Sequence, residues 1–68
     1  MEIKWEDGFT IKVRADKNNV VISANREGLL SLANQMMALA NEEIGTHCHY
    51  DEYNSLENGS AELIIELI

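Results

Sequence analysis

His47-Cys48-His49-Tyr50-Asp51 is the stretch of this chain richest in groups that bind metal ions or move protons. On a β-strand, residues two apart share a face, so this order lines up two imidazoles and a carboxylate. Two histidines and a carboxylate are the ligand set of hydrolytic zinc and non-haem iron centres, and Glu62 or Glu66 on a neighbouring strand would complete it. Strand rise sets such side chains roughly 6.5–7 Å apart at their roots, which allows a shared ion. A flat sheet face, however, offers neither the shelter nor the supporting hydrogen bonds of a catalytic centre. The simpler reading turns Cys48 and Tyr50 inward and leaves His47, His49 and Asp51 as a polar outer surface that pairs with Glu62 and Glu66 across the sheet. Histidine beside carboxylates is expected to titrate above its reference value of about 6.5, so that acid would charge this face.

Other chemistry is harder to place. Cys48 has a histidine on either side, but sequence neighbours on a strand point to opposite faces, so no thiol–imidazole pair follows. Ser31, Ser55 and Ser60 lack a serine-nucleophile context, there is no glycine-rich phosphate loop, and nothing implies a cofactor. Met36 and Met37 read as core rather than as a ligand surface. Asp51, Glu52 and Glu57, with Tyr53 and Leu56 between them, form an acidic loop with an apolar anchor. It is either a solvated loop or the rim of an interface whose aromatic residue, Tyr53, contributes to binding.

The chain bounds what such a face can serve. Its 68 residues suffice for one domain, 1–68, with one modest core, because chains of this size bury only about 60% of their unfolded surface. The composition is 46% hydrophobic and 25% charged, that of a globular protein. A single cysteine excludes an internal disulfide and fits a reducing compartment. The N-terminus has neither a basic start nor an apolar run, so the expected location is cytoplasmic, with no membrane partner. Twelve acidic residues against five basic ones give a net charge of −7, which repels nucleic acid and anionic membranes and favours a basic protein partner.

The elements that hold the face follow from periodicity and turn residues. Ile3 and Trp5, then Phe9, Ile11 and Val13, alternate about Glu6-Asp7-Gly8, which predicts a hairpin. A three-residue loop with Gly8 left-handed keeps Trp5 against Phe9. A second turn at Asp16-Lys17-Asn18-Asn19 pairs Ala15 with Val20, Val13 with Ile22 and Ile11 with Ala24, which keeps the apolar residues together. From Arg26 to about Glu43, Leu29, Leu32, Ala33, Met36, Ala40 and Ile44 recur at helical spacing, widened by Leu30, Met37 and Leu39. Glu27, Ser31, Asn34, Gln35, Asn41 and Glu42 are expected to face water. Asn25 or Ser23 would cap this helix and Gly45 would end it, while Gly28 would let it sit close to the sheet.

Strands are also predicted at Thr46–Asp51 and Ala61–Ile68, the latter with Leu63, Ile65 and Leu67 on one face and Glu62, Ile64 and Glu66 on the other. The expected fold is α+β: a two-layer domain with a mainly antiparallel sheet, order β-β-β-α-β-β, and one amphipathic helix on one face. Function would sit on the uncovered face, with His47, His49, Asp51, Glu62 and Glu66. An unpaired edge strand would permit a homodimer.

The run Val20-Val21-Ile22-Ser23-Ala24-Asn25-Arg26-Glu27-Gly28-Leu29-Leu30, with Leu32-Ala33 and Leu39-Ala40, then His47-Cys48-His49-Tyr50-Asp51 and Ser60-Ala61-Glu62-Leu63-Ile64-Ile65, resembles the immunity protein 32 family of bacterial polymorphic toxin systems. The resemblance covers about two thirds of the chain, from Val20 to the C-terminus. It implies a cytoplasmic antidote that binds and neutralises a toxin domain encoded beside it, without catalysis. His47, His49 and Asp51 match the family's strand motif and carry over as surface-site residues without an assigned role. The alternative class is a metal-binding protein or small metal-dependent enzyme built on His47, His49 and Asp51.

Overall fold

Alternation at Ile11–Ala15 (β1) and Val20–Ala24 (β2) closes an antiparallel hairpin in the computed structural model of the chain, which describes residues 1–68. The register is the one that groups the apolar residues: Ile11 opposite Ala24, Val13 opposite Ile22, Ala15 opposite Val20. Its turn is held by Asp16, whose Oδ1 accepts from the backbone N–H groups of Asn18 and Asn19 at 3.1 and 3.0 Å. A short polar side chain that bonds its own backbone two residues on is what makes this a turn rather than a longer loop.

The helix, α1, runs from Arg26 to Leu39. Asn25 caps it: its Oδ1 accepts from Gly28 N at 2.8 Å and from Thr10 N at 3.0 Å, while its Nδ2 donates to the Gly8 carbonyl at 2.9 Å. One side chain thus both starts the helix and ties the N-terminal segment to it. Gly28 sits against the hairpin, as expected. A β-carbon there would lie 2.6 Å from the Thr10 carbonyl oxygen and 3.0 Å from the Ala24 β-carbon.

The helix stops four residues short of the predicted Glu43. Asn41 Nδ2 donates to the Met37 carbonyl at 2.9 Å, occupying the acceptor that Asn41's own N–H would use in a continued helix. The following amides instead make i→i−3 bonds, Asn41 N to Ala38 O and Glu42 N to Leu39 O. Gly45, with φ +97°, closes a separate turn in which Thr46 N bonds Glu43 O.

His47–Tyr50 (β3) and Leu63–Glu66 (β4) form a second antiparallel pair, with His47 opposite Glu66 and Tyr50 opposite Leu63. The order is therefore β-β-α-β-β in two two-stranded sheets, which corrects the expected β-β-β-α-β-β order on a single sheet. The turn at Asn58-Gly59-Ser60 accounts for the break. Glu57 N bonds Ile11 O and Ala61 N bonds Val13 O, but the turn between them interrupts any continuous ladder from β1 to β4.

The missing first strand has a second cause. Trp5 and Phe9 do meet across a turn with Gly8 at φ +79°, their rings stacked with centroids 4.4 Å apart. Yet the backbone of this segment bonds the helix instead of a strand: Glu6 N donates to Ser31 Oγ at 2.8 Å, and Gln35 Nε2 donates to Lys4 O at 2.9 Å. That requires Ser31 and Gln35 to face inward, and they are 0% and 2% exposed.

The helix is accordingly rotated from the expected face. Gly28, Ser31, Leu32, Gln35 and Leu39 are buried, while Leu29, Leu30, Met36 and Met37 are exposed. The core gathers Ile11 and Val13 from β1, Leu32 and Leu39 from α1, Cys48 and Tyr50 from β3, and Leu56 from the loop before β4.

Candidate functional site

Strand alternation decides which groups share the outer face of the second sheet. Cys48 and Tyr50 are buried, and Leu63, Ile65 and Leu67 pack on the core. His47, His49, Glu62, Ile64 and Glu66 are therefore left together outside. The two imidazoles pack edge to face with centroids 4.9 Å apart. His49 Nδ1 lies 3.5 Å from Glu62 Oε2, and Glu66 stands opposite His47 in the register. His47 Nδ1 lies 3.1 Å from the Gly45 carbonyl. Both members of the His49–Glu62 pair are about half exposed, so water screens the contact and it contributes little to folding, at most about 1 kcal/mol. This row of groups is available to a partner.

Asp51 follows the last residue of β3, and its side chain is engaged in the next loop. Its Oδ1 accepts from Tyr53 N at 2.9 Å and Asn54 N at 3.1 Å, while Asn54 Oδ1 accepts from Asp51 N at 3.1 Å. This reciprocal pair is the arrangement of a capping box, in which each side chain satisfies the other's backbone donor. The Asp51 carbonyl also accepts from Leu56 N at 2.8 Å, which carries Leu56 into the core. The carboxylate thus builds the loop and does not join the two histidines. No three His, Cys, Asp or Glu side chains converge closely enough to hold an ion, so the geometry lends the metal alternative no support.

The loop that Asp51 builds turns Leu56 in and Tyr53 out. Tyr53 is 95% exposed, with its backbone N–H taken by Asp51 and its ring free. Glu52 folds back to accept from Gly59 N. Tyr53 therefore stands at the tip of a loop whose acidic residues on either side are partly engaged.

Charge is divided along the chain in a way that single motifs do not reveal. All five cations, Lys4, Lys12, Arg14, Lys17 and Arg26, lie in the first 26 residues. From Glu27 onward there are eight carboxylates (Glu27, Glu42, Glu43, Asp51, Glu52, Glu57, Glu62 and Glu66) and no Lys or Arg. The face formed by β3 and β4 belongs wholly to that anionic part, and a split count of the sequence would have found it.

The buried polar groups Ser31 and Gln35 are a second feature beyond motif reading. Gln35 Oε1 accepts from the Tyr50 hydroxyl at 2.7 Å, which joins the N-terminal segment, the helix and β3 in one chain of bonds. Burial raises the Tyr50 phenol well above its ordinary value of 10.0, and the Cys48 thiol beside it adds to the effect. Tyr50 is thus held neutral, as a structural donor to Gln35.

Compared with known families, residues 19–68 match the sequence model described as Immunity protein 32. No curated protein and no solved structure matches the chain.

Proposed function

The chain belongs to the immunity protein 32 family, and from that premise we propose that it is a non-catalytic antidote that binds a cognate toxin domain in the cytoplasm and blocks its action. The observation that carries this reading is the division of charge: the part of the chain from Glu27 onward holds eight carboxylates and no Lys or Arg. A surface of one sign attracts a partner of the other and speeds its capture, and it can occupy the place of phosphates in a basic cleft. The contact face is the outer side of β3 and β4, with His47, His49, Glu62 and Glu66, and Tyr53 as an aromatic anchor at its loop. Asp51 serves this face by holding the loop. Each of these groups acts by contact or charge, and none has to be a nucleophile or proton carrier.

The test is co-purification with the toxin domain encoded beside it, followed by inhibition of that toxin's activity. Binding should be one to one, and Glu62→Lys combined with Glu66→Lys should weaken it by at least about tenfold while Lys17→Glu leaves it intact. Undiminished binding by the doubly reversed protein would remove the acidic-face reading. Failure of the neighbouring domain to bind at all would remove the antidote reading itself.

A further inference from the structure

The rotation of α1 leaves an apolar surface that the core does not use. At 100° per residue, Leu29, Leu30, Ala33, Met36, Met37 and Ala40 span an arc of about 120° on the side of the helix next to the buried one. Met37 is 69% exposed, Leu29 55% and Leu30 49%. At the C-terminal end of this arc, Met36, Leu39 and Ala40 face Ile65, Glu66 and Leu67 across a groove of about 270 Å³, Glu66 being its one charged lining residue. Apolar surface thus continues from the helix to the end of β4.

What covers this surface can be argued from charge, area and shape. Between Glu27 and Glu42 the chain has no charged residue. Arg26 and Glu27 in the first turn are the only charges on the helix, so along the rest of it a basic partner finds no carboxylate to pair with, whereas two copies of a protein of net charge −7 can meet there with the least repulsion. The accessible area, 4909 Å² for 7.7 kDa, exceeds the roughly 4,300 Å² expected of a folded monomer of this mass. The molecule is also thin, 31 × 30 × 19 Å, with a radius of gyration of 12.0 Å against about 11 Å for a compact chain of this length. Finally, the same surface carries a projection and a recess. Met37 stands one helical turn from Ala40, which lines the groove, so the surface has the knob and hole that a two-fold contact needs.

We propose that the exposed face of α1, with the groove between α1 and β4, is the interface of a symmetric homodimer. The interface meets the outer face of β3 and β4 only at Glu66, on the rim of the groove, and does not depend on the toxin-binding reading. The dimer forms through the helix and not through the edge of β2.

Sedimentation of the intact chain from about 1 to about 200 μM tests this, since self-association depends on concentration. The expected mass at the upper end is twice the 7.7 kDa of the chain. Met37→Glu and Leu30→Glu should each raise the dissociation constant by at least about tenfold with an unchanged circular dichroism spectrum, and Val21→Glu on β2 should not. Because Met37 and Leu30 are exposed, both variants should retain the monomer fold. A mass of 7.7 kDa throughout, or a dimer broken by Val21→Glu and by neither helix variant, overturns the proposal. So does a monomer whose capture of the toxin domain is lost in Met37→Glu, because the face would then belong to that partner.

Discussion

The Tyr50 hydroxyl donates a 2.7 Å hydrogen bond to Oε1 of Gln35, and both side chains are 2% exposed. Gln35 spends its amide N–H on the Lys4 carbonyl at 2.9 Å, so one buried residue satisfies a strand side chain on one hand and the N-terminal backbone on the other. Trp5 closes the same corner, its ring edge-on to Tyr50 with centroids 6.0 Å apart.

Tyr50→Phe should therefore destabilise the protein by about 1–3 kcal/mol, because it leaves Gln35 Oε1 buried without a donor. The effect should also depend on pH. The folded-state phenol is raised above its unfolded value of 10.0, so its contribution is complete below that pH and is lost as pH rises above it, when the unfolded chain ionises first. Thermal melts of the two proteins should differ most below pH 10.0 and converge above it. A difference that stays constant on raising the pH would show that the phenol is not held neutral by the fold.

Gly28→Ala should destabilise the chain although alanine is the better helix former. The gain in propensity is at most about 1 kcal/mol, whereas the added β-carbon meets a backbone carbonyl oxygen at 2.6 Å and Ile11 Cγ1 at 2.9 Å. Backbone cannot swing aside as a side chain can, so overpacking of about 1–3 kcal/mol should win. Chemical denaturation that found the alanine variant more stable would mean that the helix can move off the hairpin at little cost.

Asn25 offers a sharper discrimination. Asn25→Ala removes the cap to Gly28 N, the bond from Thr10 N and the bond to Gly8 O together, so its cost should reach about 2–3 kcal/mol against about 1 for an ordinary cap. Asn25→Asp keeps both acceptor bonds and loses only the donor, so it should recover most of that loss. Equal losses in the two variants would assign the larger share to the Gly8 bond.

These residues also mark where sequence reading succeeded and where it stopped. The β1–β2 register, the asparagine cap, the close approach at Gly28 and the inward turn of Cys48 and Tyr50 all follow from local periodicity and turn chemistry. The N-terminal strand and the helix face failed together, for one reason. Ile3 and Trp5 alternate as a strand does, and Ser31 and Gln35 read as solvent-facing, but the backbone donors and acceptors of the first segment are satisfied by those two helix side chains. Partners more than twenty residues apart leave no periodic trace in a single sequence. The loop-building bonds of Asp51 were not legible for a related reason, since strand alternation ends at Tyr50 and its Oδ1 accepts from Asn54 N.

That placement of Asp51 separates two carboxylates that look alike in sequence, and it gives the strongest prediction about function. Glu62 is about half exposed and its carboxylate pairs with His49, so Glu62→Lys should leave the unfolding midpoint nearly unchanged. Its effect should fall on association with a toxin domain, slowing capture by about 3–10-fold at low salt and less as salt screens the field. Asp51→Ala should behave in the opposite way. It removes the acceptor for Tyr53 N and Asn54 N and half of the capping pair that seats Leu56, so stability should drop by about 1–2 kcal/mol. Any loss of binding should then come through disorder of the Tyr53 loop and show in the dissociation rate, with the same salt dependence as the unchanged protein. Stopped-flow binding at two ionic strengths, run beside thermal melts of both variants, distinguishes the roles. If Asp51→Ala instead slowed association in a salt-dependent way at full stability, the Asp51 carboxylate would belong to the contact face after all.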